Sequence, residues 1–339
     1  MSIRKKANRR KQKRRYRPTL FFSLLVFLIL FGSIVTYAYT EYHAGKTETE
    51  QQISAKNKTN PSVKESPKKD TITAKEPENN QPINVLLVGV DSSTDGLART
   101  DTIMIGQYNP LNGEAKLASI MRDVYVEIPG RSNNKINAAF AFGGVDLLQE
   151  TIEQNFKIDI HYYTIVNFAG FINTVDTIVP NGLPVTIEQR MFDVNNQIDF
   201  QPGNHRLHGE DTLKYVRFRK DNENDFGRVR RQQETLKLLK DELFTLSGMS
   251  KIPRLIGALE PHLETNLRTS KMLSLGRDFV LNPIGRIETI RIPIDGSFQD
   301  VYYQHAGAVL EMNLDKNRQA IYDIFNGSED EEKSKEENI

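Results

Sequence analysis

Five arginines fall within fifteen residues of the segment YVRFRKDNENDFGRVRRQQ: Arg217, Arg219, Arg228, Arg230 and Arg231. A guanidinium presents a planar fork of donors that matches two phosphate oxygens, so such clustering points to recognition of a multiply charged phosphate group. Arg228 and Arg231 are three apart, which places them on one face of a helix near its amino end, where oriented backbone amides also favour anions. Arg217 and Arg219 alternate with Val216 and Phe218, a spacing that predicts a strand with one polar face. The competing reading is a solvated charge run in which Asp221, Glu223 and Asp225 simply pair with these arginines.

A second group lies upstream. VGVD places Asp91 at the carboxyl end of a buried strand, and ARTDT places Arg99 and Asp101 at the start of the next. Ligands of α/β sheets bind where strands end. Two carboxylates there suit a hard cation such as Mg²⁺, with Mn²⁺ as its substitute, which would take its remaining ligands from water and phosphate. The alternative is a turn cap at Asp91 and a surface pair between Asp101 and Arg99. Arg122, after another buried run, and Lys135, at the start of a helical stretch, extend the candidate cationic pocket.

Other chemistries drop out. The chain has no cysteine, which removes disulfides, thiolate metal sites and cysteine nucleophiles. No Walker loop, dinucleotide fingerprint, HExxH helix or GxSxG elbow occurs, and the six histidines lack metal-ligand spacing.

The elements that must position these residues follow from periodicity. INVLLVGVD, KLASIM, VYVEI, YYTIV, LPVTI and IETIRIPI read as strands, whereas GGVDLLQETIEQNF, NFAGFINTVDTI and RVRRQQETLKLLKDELFTL read as helices. Strands alternating with helices predict a layered α/β domain over residues 83–326. Ahead of it, residues 20–40 form an apolar run of the length that crosses about 30 Å of hydrocarbon, too long for the core of a cleaved signal peptide. Ten Lys and Arg in the first seventeen residues set its orientation, with residues 1–19 cytoplasmic and the body outside. The net charge of the whole chain is +1, so the remainder carries 1 − 10 = −9. Residues 41–82 are polar and predict a disordered linker, and 327–339 an acidic disordered tail.

VGVD, ARTDT, MRDVYVEIPG, KINAAFAFGG, LHGEDTLKYVRFR and DFGRVRRQQ, in this order behind a basic tip and one apolar run, resemble the LytR-CpsA-Psr phosphotransferases of Gram-positive bacteria. The likeness covers most of residues 83–245. It implies a central mixed β-sheet flanked by helices, with an apolar cavity for a polyprenyl chain and a charged mouth for its pyrophosphate. It further implies transfer of a teichoic acid or capsule polymer from undecaprenyl pyrophosphate to the C6 hydroxyl of N-acetylmuramic acid in peptidoglycan. Residue by residue, Asp91 and Asp101 match the acids associated with Mg²⁺. Arg99, Arg122, Arg217, Arg219, Arg228 and Arg231 match the arginines around the phosphates, with Lys135, Asp225 and Gln232 beside them. Met121 departs from the proline or serine common before the RD pair, and the Asp91–Arg99 loop is a variable one; neither removes a charged residue.

Phosphoryl transfer needs positioning and charge neutralisation more than covalent chemistry. Asp101, Asp123 and Asp225 all stand as candidates for the base that takes the acceptor proton. A binding module that holds lipid-linked polymer without turnover would use the same arginines, and a regulator of envelope genes is a further reading. The outward topology argues against nucleic acid as a partner, and no obligate protein partner is implied.

Overall fold

The computed structural model describes residues 32–51, 53–55, 74–77, 81–91 and 99–327, leaving aside the side chains of Arg99, Leu246 and Ser247. Its centre is a six-stranded mixed sheet. The strands are β1 (Ile83–Asp91), β2 (Arg99–Tyr108), β3 (Ala115–Ile120), β6 (Tyr162–Asn167), β11 (Leu263–Thr265) and β12 (Ile287–Ile292), in the spatial order β11-β6-β1-β2-β3-β12. β1 runs parallel to β6, and β3 parallel to β12, while β1 and β3 are both antiparallel to β2. The carboxyl ends of β1, β3, β6 and β12 and the start of β2 therefore lie along one edge. Every loop leaving that edge can contribute to one site.

One face of the sheet is dry. Leu86, Val88, Ile103, Ile105, Ala118, Ile120, Tyr163 and Ile165 pack into a core closed by α2 (Ile136–Phe156) and α9 (Leu314–Asn326). Full burial of each large aliphatic there is worth about 1.5–3 kcal/mol. The other face is less filled: Val85, Leu87 and Val166 are half-buried, and with Met104 they join neither of the two hydrophobic clusters. Over this face lie α3 (Phe168–Ile178), α4 (Gly209–Arg217), α5 (Asn224–Leu243), α7 (Ile252–Leu259) and α8 (Thr269–Leu281). The second cluster, with Val175, Leu183, Leu207, Val216, Phe218 and Leu239, sits between α3, α4, α5 and the β7–β10 hairpin (Leu183–Ile187 with Gly203–Leu207).

Two expectations are corrected by the backbone. The segment LKYVRFR is not a strand: α4 ends at Arg217, and Phe218 leaves the helix in an extended conformation. A short alternation fits the last turn of a helix plus an extended cap as well as it fits a strand. The polar stretch after residue 40 also differs, because helix α1 covers residues 32–51 and lies along α7. Arg254 of α7 holds Glu48 at 2.8 Å, Lys46 pairs with Glu260 at 3.4 Å, and the Tyr42 hydroxyl donates to Glu260. Charges that would leave an isolated segment disordered are here neutralised by a packed neighbour. A side chain at Gly45 or Gly257 would collide with the facing helix backbone, so the two helices meet in close contact. Most of the expected membrane anchor, residues 20–31, and the tail 328–339 lie outside the described residues, as do Ser92–Ala98. Among the described residues no helix is long and apolar enough to cross a membrane.

Candidate active site

The site begins with an irregularity. Along β1 and β2 the register jumps from Gly89↔Thr102 to Val90↔Thr100, so Asp101 is the extra residue of a β-bulge. Bulges re-aim side chains beside active sites. The buried Thr100 hydroxyl pins this one by sharing its single proton between the carbonyls of Gly89 (3.2 Å) and Thr102 (3.0 Å). Asp101 thereby leaves the ladder and points at the arginines.

Three elements bring those arginines to it. Arg122 comes from the loop after β3 and donates to Asp101 Oδ1. Arg219 comes from the α4–α5 connection, 3.2 Å from Asp101 Oδ2, and Arg228 from the first turns of α5, 3.6 Å from Asp101 Oδ1. Asp225, one turn before Arg228, holds it at 2.7 Å and lies 3.4 Å from Arg219 Nε and 3.8 Å from Arg122 Nε. Asp123 joins from the other side, 3.3 Å from Arg122 Nε and 2.7 Å from the Lys135 ammonium. Asn224, at φ 49°, makes the turn that swings Asp225 inward. Gly227 leaves space: a Cβ there would sit 2.8 Å from Glu223 Oε2 and 3.0 Å from Asp221 Oδ2.

Charge and burial compete within this cluster. Burial alone would raise the Asp101 carboxyl, yet the guanidiniums of Arg122, Arg219 and Arg228 overcome it and hold that carboxyl below its ordinary range. For Arg122 burial acts downward, but Asp101, Asp225 and Asp123 raise the group above its usual value. Arg228 is only 1% exposed, and desolvation pushes its guanidinium down to about 10 despite Asp225. It remains charged at neutral pH. The donors are not used up, however: Arg228 Nε and Nη1 and Arg219 Nε are buried with no hydrogen-bond acceptor among the described residues. Buried donors left open cost about 1–3 kcal/mol each, and an anion seated against them removes that cost.

The remaining candidates take other positions. Arg217 stands at the rim, 3.3 Å from Asp91 Oδ2, with its guanidinium 4.3 Å from the Phe168 ring centroid. Arg99 opens β2 directly opposite Asp91. Arg231 shares the buried face of α5 but turns from Asp101. It donates to Asp221 (2.5 Å) and to the Phe218 carbonyl (2.6 Å), and so fixes the path of the chain that carries Arg219. Gln232 donates to Thr102 Oγ1 at 3.0 Å and ties α5 to the bulged strand. Arg230 is at the surface with Glu223 and Glu234, as the solvated-run reading has it. Two contributors were not singled out by the sequence: Phe168, which is 49 residues from the guanidinium it supports, and Thr100.

Asp91 and Asp101 offer hard oxygen donors at one sheet edge, the set that Mg²⁺ takes when phosphate and water complete its shell. Among the described residues no group of three or more His, Cys, Asp and Glu converges to hold a metal by itself. The donor chemistry therefore fits a cation shared with a phosphate ligand.

A sheet edge with two carboxylates, buried guanidiniums and unfilled donors defines an α/β protein with a candidate anion seat. Its lineage is explicit: residues 36–320 match the LytR_cpsA_psr family, and the chain belongs to that family. It is 38% identical over 248 residues to the regulatory protein MsrR of Staphylococcus aureus, covering 73% of this chain and 76% of that protein. It is 31% identical over 255 residues to the polyisoprenyl-teichoic acid–peptidoglycan teichoic acid transferase TagU of Bacillus cereus, covering 72% of this chain and 80% of the relative. Among solved structures, TagV of B. subtilis superposes with a TM-score of 0.62 at 29% identity, over 74% of this chain and 99% of TagV. TagT bound to LIIa-WTA superposes at 0.60 with 26% identity, over 78% and 99% of the two chains.

Proposed function

We propose that this chain transfers an anionic wall polymer, of the teichoic acid or capsule type, from undecaprenyl pyrophosphate to the C6 hydroxyl of N-acetylmuramic acid in peptidoglycan. The observation that carries the reading is the set of open, buried guanidinium donors of Arg219 and Arg228 beside Asp101. A diphosphate supplies the acceptor oxygens they lack, and Arg122, with Arg217 at the rim, neutralises the charge that develops in transfer. The similarity to TagU, a teichoic acid–peptidoglycan transferase by name, supports the polymer and the acceptor class.

In this scheme the acceptor oxygen forms a bond to the phosphorus nearest the sugar. The bridging P–O bond breaks, its electron pair leaves with polyprenyl phosphate, and the hydroxyl proton passes to a carboxylate. Asp101 is a poor base, because three guanidiniums hold its proton affinity down. Mg²⁺, or Mn²⁺ in its place, would be held by Asp91 and Asp101 and would supply further charge neutralisation at the phosphates. The polyprenyl chain would run under the helices along the half-buried face of Val85, Leu87 and Val166, the face towards which Asp91 also points by strand alternation. The apolar run before residue 40 would anchor the chain in the cell membrane, single-pass, with the body outside.

The test is reconstitution of the full chain with lipid-linked teichoic acid, peptidoglycan acceptor and Mg²⁺. Covalently attached polymer is the expected product. Tight binding of the donor with no attached polymer would reduce the protein to a carrier module.

A further inference from the structure

Next to the cluster, by the carboxyl end of β12 and the first turns of α5, lies a groove of about 860 Å³. Its inner end is formed by Asp123 and Asp225, the same carboxylates that hold Arg122, Lys135 and Arg228. Its floor is the hairpin of β13 (Phe298–Tyr303) and β14 (Gly307–Met312), through Asp300, Ala308 and Leu310. The hairpin is fastened to the site loop, since the Leu310 amide donates to the Asp123 carbonyl at 2.9 Å.

Two features of the groove point to a ligand class. Asp300 lines the groove and pairs with Leu310 across the hairpin; Tyr302, paired with Ala308, follows on the same hairpin face, beside the groove rather than in its lining. Tyr302 is 75% exposed, whereas its neighbour Tyr303 turns inward to stack on Tyr125, with ring centroids 4.6 Å apart. An exposed aromatic face beside carboxylate acceptors matches a sugar ring, which offers C–H groups to the aromatic and hydroxyl or amide donors to the acids. Asp300 has no cationic partner among the described residues, unlike Asp123 and Asp225. The bases of the groove are already engaged: Arg291 lies over the Phe226 ring at 4.4 Å and donates to the Pro293 carbonyl at 2.8 Å. The groove is therefore poor at holding a polyphosphate and suited to the hydroxyl- and amide-bearing edge of a sugar.

We infer that this groove is the acceptor cleft: a peptidoglycan glycan strand lies on the β13–β14 hairpin, Tyr302 stacks under one sugar, and Asp300 accepts from its donors. The strand's free hydroxyl is thereby delivered to Asp123 and Asp225. This rests on the proposed transfer and deepens it. The glycan then reaches the amino end of α5 from the hairpin side, where Asp225 also holds Arg219 and Arg228. Of the three carboxylates open to the role of base, the groove presents Asp123 and Asp225 and not Asp101.

The test uses the full chain in detergent, with a soluble oligomer of N-acetylglucosamine and N-acetylmuramic acid as probe. Glycan affinity is measured by calorimetry without donor, and transfer is measured separately. Tyr302→Ala and Asp300→Asn, both at exposed positions, should each weaken glycan binding and raise the acceptor KM roughly ten-fold, with donor affinity unchanged. Glycan affinity equal to wild type in both variants overturns the inference, and so does a wild-type chain that binds no oligomer. Glycan binding that depends on Tyr302 in a chain that transfers nothing would sink the proposed reaction and leave the cleft standing.

Discussion

The two ends of strand β1 are built from the same kinds of material and behave oppositely. At the amino end a cavity of about 760 Å³ is lined by Asn84, Gln107, His161 and Arg318. There the polar groups close on one another. The Gln107 amide donates to Asn84 Oδ1 at 3.1 Å, the Asn84 amide donates to the Asp159 carbonyl at 2.8 Å, and the Asn84 backbone N–H donates to His161 Nδ1 at 3.0 Å. Burial lowers the His161 imidazole, so it stays neutral and can accept that bond. At the carboxyl end, by contrast, the ladder is broken by a bulge and the guanidinium donors of Arg219 and Arg228 are left open. A cavity by itself does not mark function. The distinguishing feature is charged hydrogen-bonding capacity, buried guanidinium donors kept open by the fold at a cost in stability.

That contrast can be broken by mutation, beginning with the largest effect. Arg219→Ala removes a half-exposed side chain whose partners among the described residues, Asp101 and Asp225, are in the cluster, and transfer should fall on the order of 10³-fold in a steady-state assay. Its melting temperature should stay near wild type. Arg228→Ala and Arg231→Ala should both lose about 1–3 kcal/mol in denaturant unfolding, because each removes a buried guanidinium from its half-buried carboxylate, Asp225 or Asp221. Under conditions where both variants remain folded, phosphate binding should be lost in the first and retained in the second.

Asn84→Ala, at the closed end, should cost about 1–3 kcal/mol of stability by stranding the Gln107 amide, with turnover per folded molecule unchanged. Loss of turnover there would erase the distinction between the two ends. The smallest effect concerns acid. Because the Asp101 carboxyl is held below its ordinary value of about 4, its contribution to stability is complete above that pH and fades as pH falls through the lower folded value. Asp101→Asn should flatten the unfolding free energy in that acid window and leave its slope near neutrality as it was.

Much of this arrangement was legible in the residues. The run INVLLVGVD fixed the buried strand and put Asp91 at its end, and the three-residue spacing placed Arg228 and Arg231 together on the buried face of α5. What escaped is what depends on register and on partners far along the chain. No pattern shows that Asp101 is a bulge residue, since that is decided by how β2 pairs with β1. Nor does spacing tell Arg228 from Arg231, because Asp221 and the Phe218 carbonyl capture the second only after the α4–α5 connection has folded back. The alternation around Arg217 misled because a helix end followed by an extended residue repeats like a strand. Residues 41–51 looked like a tether because their charges find partners only on α7.

The central claim is that the open donors of Arg219 and Arg228 beside Asp101 are a seat for a diphosphate. The direct measurement is calorimetric titration of the full chain with a short-chain polyprenyl pyrophosphate, alongside Arg219→Ala and the surface control Arg230→Ala. One bound diphosphate per chain is predicted, weakened about ten-fold or more by Arg219→Ala and unaffected by Arg230→Ala. Equal affinity in all three proteins would contradict the account.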